Sequence, residues 1–339
     1  MDSLFFVTIA IPSYNRPQEL KRLLNSIDYT GKFPIEILIC EDKSPKRTEV
    51  REVVNSFKDS SRYTVSYFEN EQNYGYDKNI RELVSQAQGE YIIFMGDDDL
   101  FIEGKLNYYI EYLWANQDCG YVLRSYMNNY SDGTIEVFKY FNSTRRFDAG
   151  IETYILLFDK SVFISGFTIR TQPSQEVATE KLDGTLLYQL YLLAEVCLKM
   201  PAAYYDIPIT KAIEGGVPYF GNSEKEKKLY TSGSITIDNS LNFIRGYFSL
   251  LDFVDQKHNI NVAGMIKKNM SKYSYPILAI QRCKGKSEFR KYCGELRVLG
   301  LGESFYFDIY YVGLFCFGKK YCDRIIKALK RIIGHRPRL

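Results

Sequence analysis

The sequence predicts an α/β protein with a mostly parallel sheet flanked by helices, followed by a smaller helical C-terminal region. Two observations predict this class. Near-continuous apolar runs alternate with amphipathic stretches in the first part of the chain, the pattern of strand–helix–strand units around a buried parallel sheet. The length of 339 residues also suits one large domain plus a smaller second region.

The first elements alternate regularly. "FFVTIAIPSY" predicts a strand, and Leu20, Leu23, Leu24 and Ile27 then recur at helical spacing. "IEILICED" and "YTVSYFEN" predict two more strands, with a helix near 47–58 between them. "NYGYDKNIRELVSQAQGE" predicts a loop that opens a helix, and "EYIIFM" predicts the next strand. This is a βαβ pattern, whose strands run parallel.

The later elements are more varied. "KLNYYIEYLWANQ" predicts a helix, and "GYVLRSYMNNYSDGTIEVFKYF" predicts two strands joined around Ser131, Asp132 and Gly133. Leucines in 182–199 fall on one helical stripe, which places Asp183 in or just before the first turn. "AAYYDIPITKAI" predicts a last strand.

Composition suggests where the regions end. "EGGVPYFGNSEKEKKLYTSGS" is rich in Gly, Ser and charge, so we expect a first domain over 1–213, a mobile loop or linker over 214–234 and a mainly helical region over 235–339. The seven cysteines are scattered and never spaced as CxxC, so neither a zinc knuckle nor a disulfide framework is indicated. Free cysteines are typical of a protein in the reducing cytoplasm. We find no secretory signal and no uncharged apolar span of membrane length.

Polar clusters follow three predicted strands: "PSYNR" at 12–16, "CED" at 40–42 and "GDDD" at 96–99. Open α/β sheets bind ligands beyond the carboxyl ends of their strands, so these clusters should converge on one crevice. GxGxxG does not follow the first strand and GxxxxGK[ST] does not occur, which disfavours Rossmann and P-loop nucleotide sites. With only His258 and His335, Ser-His-Asp chemistry and His-rich metal sites are disfavoured too.

These residues resemble a known family. "VTIAIPSYNRPQELKRLLNSI", "EILICEDKS", "NYGYDKNIRELVSQAQGEYIIFMGDDDL" and a later acid before an apolar helix are similar to the family 2 glycosyltransferases with the GT-A fold. The resemblance covers about residues 4–212. It implies inverting transfer of a sugar from a nucleoside diphosphate sugar to an acceptor hydroxyl.

The resemblance also implies roles for individual residues. Aspartates at 97 or 98 would contact the ribose, and Asp99 would hold Mn²⁺ or Mg²⁺, whose charge offsets that of the diphosphate leaving group. The residues expected to line the donor site are Pro12, Tyr14, Asn15, Arg16, Asp42, Asn73, Gly75, Lys78, Asn79, Asp97 and Asp98.

Inverting transfer needs one base to deprotonate the acceptor. Asp183, Glu180 and Glu176 are the candidates in "EVATEKLDGTLLYQL", and the resemblance favours Asp183. Each also has a simpler interpretation: Asp183 as a helix cap and Glu180 as a solvated loop acid. Likewise, the aspartate run could be a solvated turn, and Asn73 and Gly75 could simply form a turn without binding a ligand.

The basic charge is concentrated at the C-terminus. Residues 319–339 hold eight Lys or Arg and one Asp, so the remaining chain carries 3 − 7 = −4. In "CDRIIKALKRIIG", Ile325, Ile326, Leu329, Ile332 and Ile333 share one helical face among basic residues, which is typical of a membrane-surface helix or of a helix packed on its own domain.

The sequence therefore predicts a glycosyltransferase peripheral to the cytoplasmic face of the cell membrane. Its expected partners are a nucleoside diphosphate sugar and a glycan or lipid-linked saccharide acceptor of cell-surface polysaccharide synthesis. Nucleic acid is disfavoured because the basic charge is local and no binding motif accompanies it. Homo-oligomerisation is left open. The alternatives are a nucleotidyltransferase, which usually has a glycine-rich loop after the first strand, and a non-catalytic sugar-binding scaffold.

Overall fold

The computed structural model describes residues 4–130, 132–213 and 219–333. The chain divides into two compact units, residues 1–228 and 229–339. Ser131 of the predicted turn and residues 214–218 of the predicted linker lie outside the described residues. The rest of that linker is shared between the units, with 219–228 in the first and 229–234 in the second.

The first unit contains a ten-stranded sheet with helices packed around it. The strands are β1 Phe5–Ser13, β2 Ile35–Glu41, β3 Thr64–Glu69, β4 Gly89–Phe94, β5 Leu100–Phe101, β6 Tyr121–Asn129, β7 Ile135–Phe138, β8 Arg145–Phe147, β9 Phe167–Arg170 and β10 Ala202–Ile213. The helices are α1 Pro17–Asn25, α2 Arg47–Ser60, α3 Tyr76–Gln86, α4 Lys105–Ala115, α5 Ile151–Phe158, α6 Thr171–Glu176 and α7 Tyr188–Cys197, with a 3₁₀ turn at Ile164–Gly166.

The sheet has the order β3-β2-β1-β4-β9-β6-β10-β5, with β7 added beside β6 and β8 beside β10. The pairs among β3, β2, β1 and β4 are parallel, as is the β6–β10 pair. β9 runs antiparallel to both β4 and β6, so these two neighbours point the same way. The carboxyl ends of β1, β2, β4 and β6 consequently lie at one edge of the sheet.

The strands are apolar because both faces are covered. Ile9 of β1 pairs with Ile37 of β2 and Ile93 of β4, and all three side chains are fully buried. Leu20, Leu23 and the other apolar positions of α1 are buried as its spacing predicts. Burial of such a side chain contributes about 1.5–3 kcal/mol, so the central sheet is the main stabilising element of this unit.

One predicted element differs from the structure. The helix expected over 182–199 begins only at Tyr188, and every residue of α7 is buried rather than a single stripe. Gly184 and Leu186 have φ values of 95° and 63°, which a right-handed helix does not permit. Asp183 therefore lies in a turn ahead of the helix and is not in its first turn.

The second unit is helical, as predicted. Its helices are α8 Ile237–His258, α9 Ala263–Lys272, α10 Tyr275–Gln281, α11 Lys286–Val298, α12 Phe305–Phe317 and α13 Lys319–Ile333, with 3₁₀ turns at Arg282–Lys284 and Leu301–Glu303. Thr236 caps α8 by accepting the backbone N–H of Asn239 at 3.0 Å. Phe307 and Leu314 anchor α12 in this unit's own core. Among the helices that the structure describes, none combines the length and apolar content needed to cross a bilayer.

Candidate active site

The first and third polar clusters meet at the carboxyl edge of the sheet. The backbone N–H of Tyr14 donates to Asp97 Oδ2 at 3.0 Å, and Arg16 Nη1 lies 2.8 Å from Asp97 Oδ1 and 2.9 Å from Asp98 Oδ2. Burial raises the pKa of Asp97 to about 6, and the Arg16 charge opposes that rise. The predicted convergence of 12–16 and 96–99 is therefore present as direct contacts.

The end of β1 carries polar groups without partners. Asn15 has a φ of 62°, a left-handed conformation that asparagine tolerates better than most residues. Within the described residues, Asn15 Oδ1 and Ser13 Oγ are buried and make no hydrogen bond. Buried polar atoms without partners are costly, so these two atoms mark a place where a ligand could supply the missing hydrogen bonds.

Asp42 joins the second cluster to the loop before α3. Its Oδ1 accepts the Tyr74 N–H at 2.7 Å and Asn70 Nδ2 at 2.8 Å, while Oδ2 accepts the Gly75 N–H at 2.8 Å. Burial raises the pKa of Asp42 to about 6, against the effect of these hydrogen bonds. Each carboxylate oxygen accepts about two hydrogen bonds, so Oδ2 retains capacity for one further donor.

The other predicted donor-site residues, Asn79, Lys78, Asn73 and Pro12, lie in different environments. Asn79 is buried, donating to the Cys40 carbonyl at 3.3 Å and accepting from Asn70 at 3.1 Å, so it supports the loop rather than facing the crevice. Lys78 Nζ lies 3.3 Å from the centre of the Tyr74 ring, a cation–π contact on a half-exposed surface. Asn73 Oδ1 accepts the N–H of Gly75 at 3.0 Å, and Pro12, half-buried, pairs with Cys40 in the sheet.

Asp99 is held from a different side than its two neighbours. Its Oδ2 accepts the hydroxyl of Ser165, which in turn accepts the N–H of Gly96 at 2.7 Å, and the backbone of Ile213 also hydrogen-bonds the carboxylate. Burial raises the pKa of Asp99 to about 7. No sequence pattern predicted Ser165 or the turn Ile164–Gly166 that presents it.

The aspartate run fits a divalent cation through few protein ligands. In the parts of the chain that the structure describes, no group of three or more His, Cys, Asp or Glu side chains could hold a metal ion. A β-carbon placed on Gly96 would lie 3.2 Å from both Asp98 Oδ1 and Asp99 Oδ2, so these oxygens border one small space that a side chain at Gly96 would fill. Magnesium commonly uses one or two carboxylates plus substrate oxygens, and this pair of hard donors meets that requirement.

Asp183, the predicted base, is occupied by cations. Arg81 approaches it through both Nη1 and Nη2, Lys225 Nζ lies 3.2 Å from Oδ2, and the carboxylate is 5% exposed. Glu180 is exposed, and Glu176 is exposed while accepting a hydrogen bond within α6. The structure therefore brings only Asp183 of the three candidates into a buried polar network.

A carboxylate that the sequence analysis passed over shapes this region. Asp77, in the first turn of α3, accepts the N–H groups of Gly184, Leu186 and Tyr188 at 2.8, 2.9 and 3.0 Å. Burial raises its pKa to about 7. Asp77 thus fixes the turn that follows Asp183. An acid at the start of a predicted helix was the available signal, although capping of its own helix is the commoner role.

Residues 219–228, which we term the cover segment, lie against the candidate site. Tyr219 packs on Tyr14 with ring centres 5.6 Å apart and lies under Arg16 at 5.1 Å. Glu226 Oε1 accepts the Tyr76 N–H at the start of α3 at 2.7 Å, and a side chain at Gly75 would collide with Glu226. The cover segment therefore contacts residues that were predicted to bind the donor, Tyr14, Arg16 and Gly75.

Arg124 is a second residue that sequence reasoning missed. It lies fully buried on β6, and its Nη2 donates to the carbonyls of Ser165 and Phe167 at 2.9 and 3.1 Å. Its guanidinium also lies 5.3 Å from the centre of the Tyr109 ring. Arg124 thereby supports the turn that carries Ser165 to Asp99. A single arginine within the apolar run "YVLRSYM" was a usable signal, since a buried charge requires a specific partner.

Comparison with known sequences identifies a shared region. Residues 8–169 match the family model described as glycosyl transferase family 2. An abequosyltransferase of Salmonella typhimurium is 31% identical over 112 residues, covering 33% of this chain and 34% of the relative. A GalNAc(5)-diNAcBac-PP-undecaprenol β-1,3-glucosyltransferase of Campylobacter jejuni is 33% identical over 103 residues, covering 30% and 32%. The chain thus matches about a third of the length of these curated relatives.

Comparison with solved structures concerns the fold. S. aureus TarS 1–349 in complex with UDP-GlcNAc aligns with a TM-score of 0.52 at 13% identity, over 94% of this chain and 91% of that chain. A second crystal structure of S. aureus TarS 1–349 aligns with a TM-score of 0.51 at 14% identity, over 94% of this chain and 91% of that chain. These similarities confirm the predicted fold class, which is a GT-A-type fold with a central sheet flanked by helices and with a helical C-terminal region.

Proposed function

Because residues 8–169 of this chain match the model of glycosyl transferase family 2, we propose that the protein moves a sugar from a nucleoside diphosphate sugar to a saccharide hydroxyl with inversion. The acceptor would be a glycan or a lipid-linked saccharide of bacterial cell-surface polysaccharide synthesis, as the names of the Salmonella and Campylobacter relatives suggest. One observation carries the proposal: Tyr14 and Arg16 from one polar cluster contact Asp97 from another, at the sheet edge where such folds bind ligands.

The donor nucleotide would bind along the ends of β1 and β2. Ser13 Oγ and Asn15 Oδ1 offer unpartnered polar atoms, and Asp42 Oδ2 retains room for a base N–H. Arg16 and Lys78 supply positive charge for the diphosphate, and Asp97 or Asp98 would receive the ribose hydroxyls. Arg16 must then release at least one of its two carboxylate contacts when the donor enters.

Asp99, together with Asp98, would hold the divalent cation. Bound there, Mn²⁺ or Mg²⁺ would neutralise charge on the diphosphate leaving group. Ser165 and the Ile213 backbone keep Asp99 oriented, and the absence of a side chain at Gly96 keeps the space between the two carboxylates open. The chain's own contribution is therefore a fixed pair of oxygens rather than a closed cage of ligands.

We assign the role of general base to Asp183. Its oxygens are now occupied by Arg81 and Lys225, so it accepts a proton from the acceptor only after one of these cations moves. Lys225 is the mobile candidate, because its side chain is 57% exposed and belongs to the cover segment. Displacement of that segment would expose both the donor site and one oxygen of Asp183.

The second unit would bring the enzyme to its acceptor at the membrane surface. Large apolar side chains of α12 and α13 remain exposed: Phe305, Tyr306, Ile309, Val312, Phe317, Tyr321 and Ile325. Lys319, Lys320 and Arg324 are close in sequence to them, and each basic residue contributes about 1 kcal/mol near an anionic leaflet. The apolar positions from 329 onward have side chains outside the described residues. We propose peripheral attachment to the inner face of the cell membrane.

Nucleoside diphosphate release tests the transfer. UDP-, GDP- and dTDP-sugars would be incubated with a saccharide panel, with and without Mn²⁺, and the released diphosphate quantified. We expect release from one donor class, lost in Asp97→Asn and kept in Asp118→Asn, a matched change at an exposed aspartate that pairs only with Arg146 among the described ion pairs. Release that survives Asp97→Asn unchanged, or no release from any donor, would overturn the proposal.

The base assignment has its own variant. Asp183→Asn keeps the side chain's shape but removes proton acceptance, which is worth about 10² to 10⁴ in rate. Turnover should fall by that factor while donor affinity stays within a few-fold. Weaker donor binding with normal turnover at saturation would instead make Asp183 a structural anchor, and Glu180→Gln would then be the next variant to measure.

A further inference from the structure

Three aromatic side chains form a half-buried cluster on the first unit, which we term the aromatic platform: Tyr126, Phe138 and Phe163. The Tyr126 ring centre lies 4.5 Å from that of Phe163 and 5.0 Å from that of Phe138. The Tyr126 and Phe138 rings are stacked, with planes 21° apart, because the two residues are cross-strand partners in β6 and β7. Each of the three residues keeps part of its surface open to solvent.

The platform lies at the same sheet edge as the aspartates. Tyr126 is in the later half of β6, which runs in the direction of β4, and the aspartates follow the carboxyl end of β4. Phe163 directly precedes the 3₁₀ turn whose Ser165 hydroxyl binds Asp99. Only β9 separates β4 from β6, so the platform lies about 10 Å along the edge from the aspartates.

The order of sites along this edge assigns the platform to one side of the reaction. Asp42, expected near the nucleobase, follows β2, the aspartates expected near the diphosphate follow β4, and the platform is on β6. A donor laid from β2 towards β4 would place its sugar next to the aspartates. The platform lies beyond the donor sugar along the edge, at a distance of about one saccharide ring, where the acceptor would bind.

The chemistry of the three side chains suits a sugar ring. Phe138 and Phe163 offer apolar faces that can pack against the C–H face of a pyranose, while Tyr126 adds a hydroxyl that can reach a sugar hydroxyl. The Tyr126 hydroxyl also hydrogen-bonds the Tyr140 side chain as an acceptor, and burial raises its pKa to about 12, so the phenol stays protonated and its own proton can be donated at neutral pH. A hairpin that only needed to close its own core would be expected to bury these rings more completely.

We propose that Tyr126, Phe138 and Phe163 bind a pyranose ring of the acceptor saccharide by stacking and by one tyrosine hydrogen bond. This proposal deepens the proposed glycosyl transfer and rests on it for the identity of the ligand as an acceptor. Saccharide binding by the platform can nevertheless be measured without donor, cation or turnover, so the two proposals fail separately.

The test is saturation-transfer NMR on the full chain at millimolar saccharide. The probes are the methyl pyranosides of glucose, galactose, mannose, N-acetylglucosamine and rhamnose. We expect at least one probe to receive saturation at its ring C–H protons. Tyr126→Leu and Phe163→Leu should each weaken that probe about fivefold to tenfold, the effect of losing one aromatic contact. Leucine keeps apolar volume in the hairpin, and thermal unfolding would verify that each variant remains folded.

Phe141→Leu is the matched control. Phe141 is also half-buried among aromatic residues: its ring centre lies 5.4 Å from that of Phe147 and 5.1 Å from that of Tyr204. Phe147, however, pairs with Ala202 at the start of β10, at the edge of the sheet away from the aspartates. The Phe141→Leu variant should bind the saccharide probe as strongly as the native protein does. No saturation of any probe in the native protein, or equal binding in folded Tyr126→Leu and Phe163→Leu variants, overturns the platform. Thermal shift with UDP and GDP reports the donor site separately, so saccharide binding without nucleotide binding would instead refute the proposed transfer.

Discussion

Replacing Asp77 by alanine would show how strongly one buried carboxylate holds the turn after Asp183. Its oxygens accept the N–H groups of Gly184, Leu186 and Tyr188 at 2.8, 2.9 and 3.0 Å. A buried donor left without an acceptor costs about 1–3 kcal/mol, so three such donors set an upper range of about 3–9 kcal/mol. Water entering the vacated space would satisfy some of them, and we expect a loss of about 3–5 kcal/mol.

Asparagine at position 77 should have a smaller effect. It keeps one acceptor oxygen for two of the three donors and turns an amide towards the third, which predicts a loss of about 1–3 kcal/mol. In a unit of 150–250 residues each kcal/mol lowers Tm by about 2–4 °C. Asp77→Ala should therefore melt about 6–20 °C below the native protein, and Asp77→Asn about 2–12 °C below it.

Calorimetry and urea unfolding at neutral pH would measure both losses. Asp118→Ala is the control, because Asp118 is an exposed aspartate whose surface pair with Arg146 contributes at most about 1 kcal/mol. A melting temperature for Asp77→Ala equal to that of Asp118→Ala would refute the reasoning. So would an asparagine variant as unstable as the alanine variant, since the donors would then not distinguish one remaining acceptor from none.

Three further predictions concern Asp77, Asp99 and Glu226. Burial raises the pKa of Asp77 from 3.8 to about 7, so the protonation-dependent part of its contribution to stability is complete below about pH 4 and is lost as pH rises through about 7. Urea unfolding should give Asp77→Asn a flatter pH dependence in that window, and an unchanged slope would contradict this. Asp99→Asn should raise the Mn²⁺ concentration needed for half-maximal transfer, and an unchanged Mn²⁺ requirement would contradict its role. Glu226→Ala should speed proteolysis within residues 219–228, because the segment loses the hydrogen bond that Glu226 accepts from the Tyr76 N–H of α3. Equal cleavage of both proteins would mean that Glu226 does not hold the segment.

The membrane proposal needs a truncation that respects the fold. Ending the chain near Phe305 would remove Phe307 and Leu314, which are fully buried, so the second unit would lose part of its core. Ending it at Gly318 removes α13 and the residues after it, and keeps Phe307 and Leu314. We expect this shorter chain to lose binding to anionic vesicles, to a degree that falls with added salt, and to keep transfer to a soluble acceptor. Retained vesicle binding would place the attachment surface elsewhere.

The sequence by itself determined the elements from β1 to β4 and predicted where the polar clusters meet, but it did not predict β5, β8, α5, β9 or α6. Apolar periodicity is a local property, so strands such as β1, β2 and β4 and the helix α1 could be predicted from their own residues. The clusters at 12–16 and 96–99 could also be placed together, because the carboxyl ends of parallel strands share one edge. The contacts of Tyr14 and Arg16 with Asp97 agree with that placement.

Only the tertiary structure decided which side chains hold the site in place. Arg81 reaches Asp183 over 102 positions, and Glu226 reaches the Tyr76 N–H over 150. Neither pairing leaves a local pattern, because a buried carboxylate takes whichever donors the folded chain brings to it. The late start of α7 has the same origin. Leucine spacing favoured a helix from 182, but Asp77 binds the backbone N–H groups there and fixes a turn, since satisfying a buried charge outweighs the weak helix propensity of a few residues.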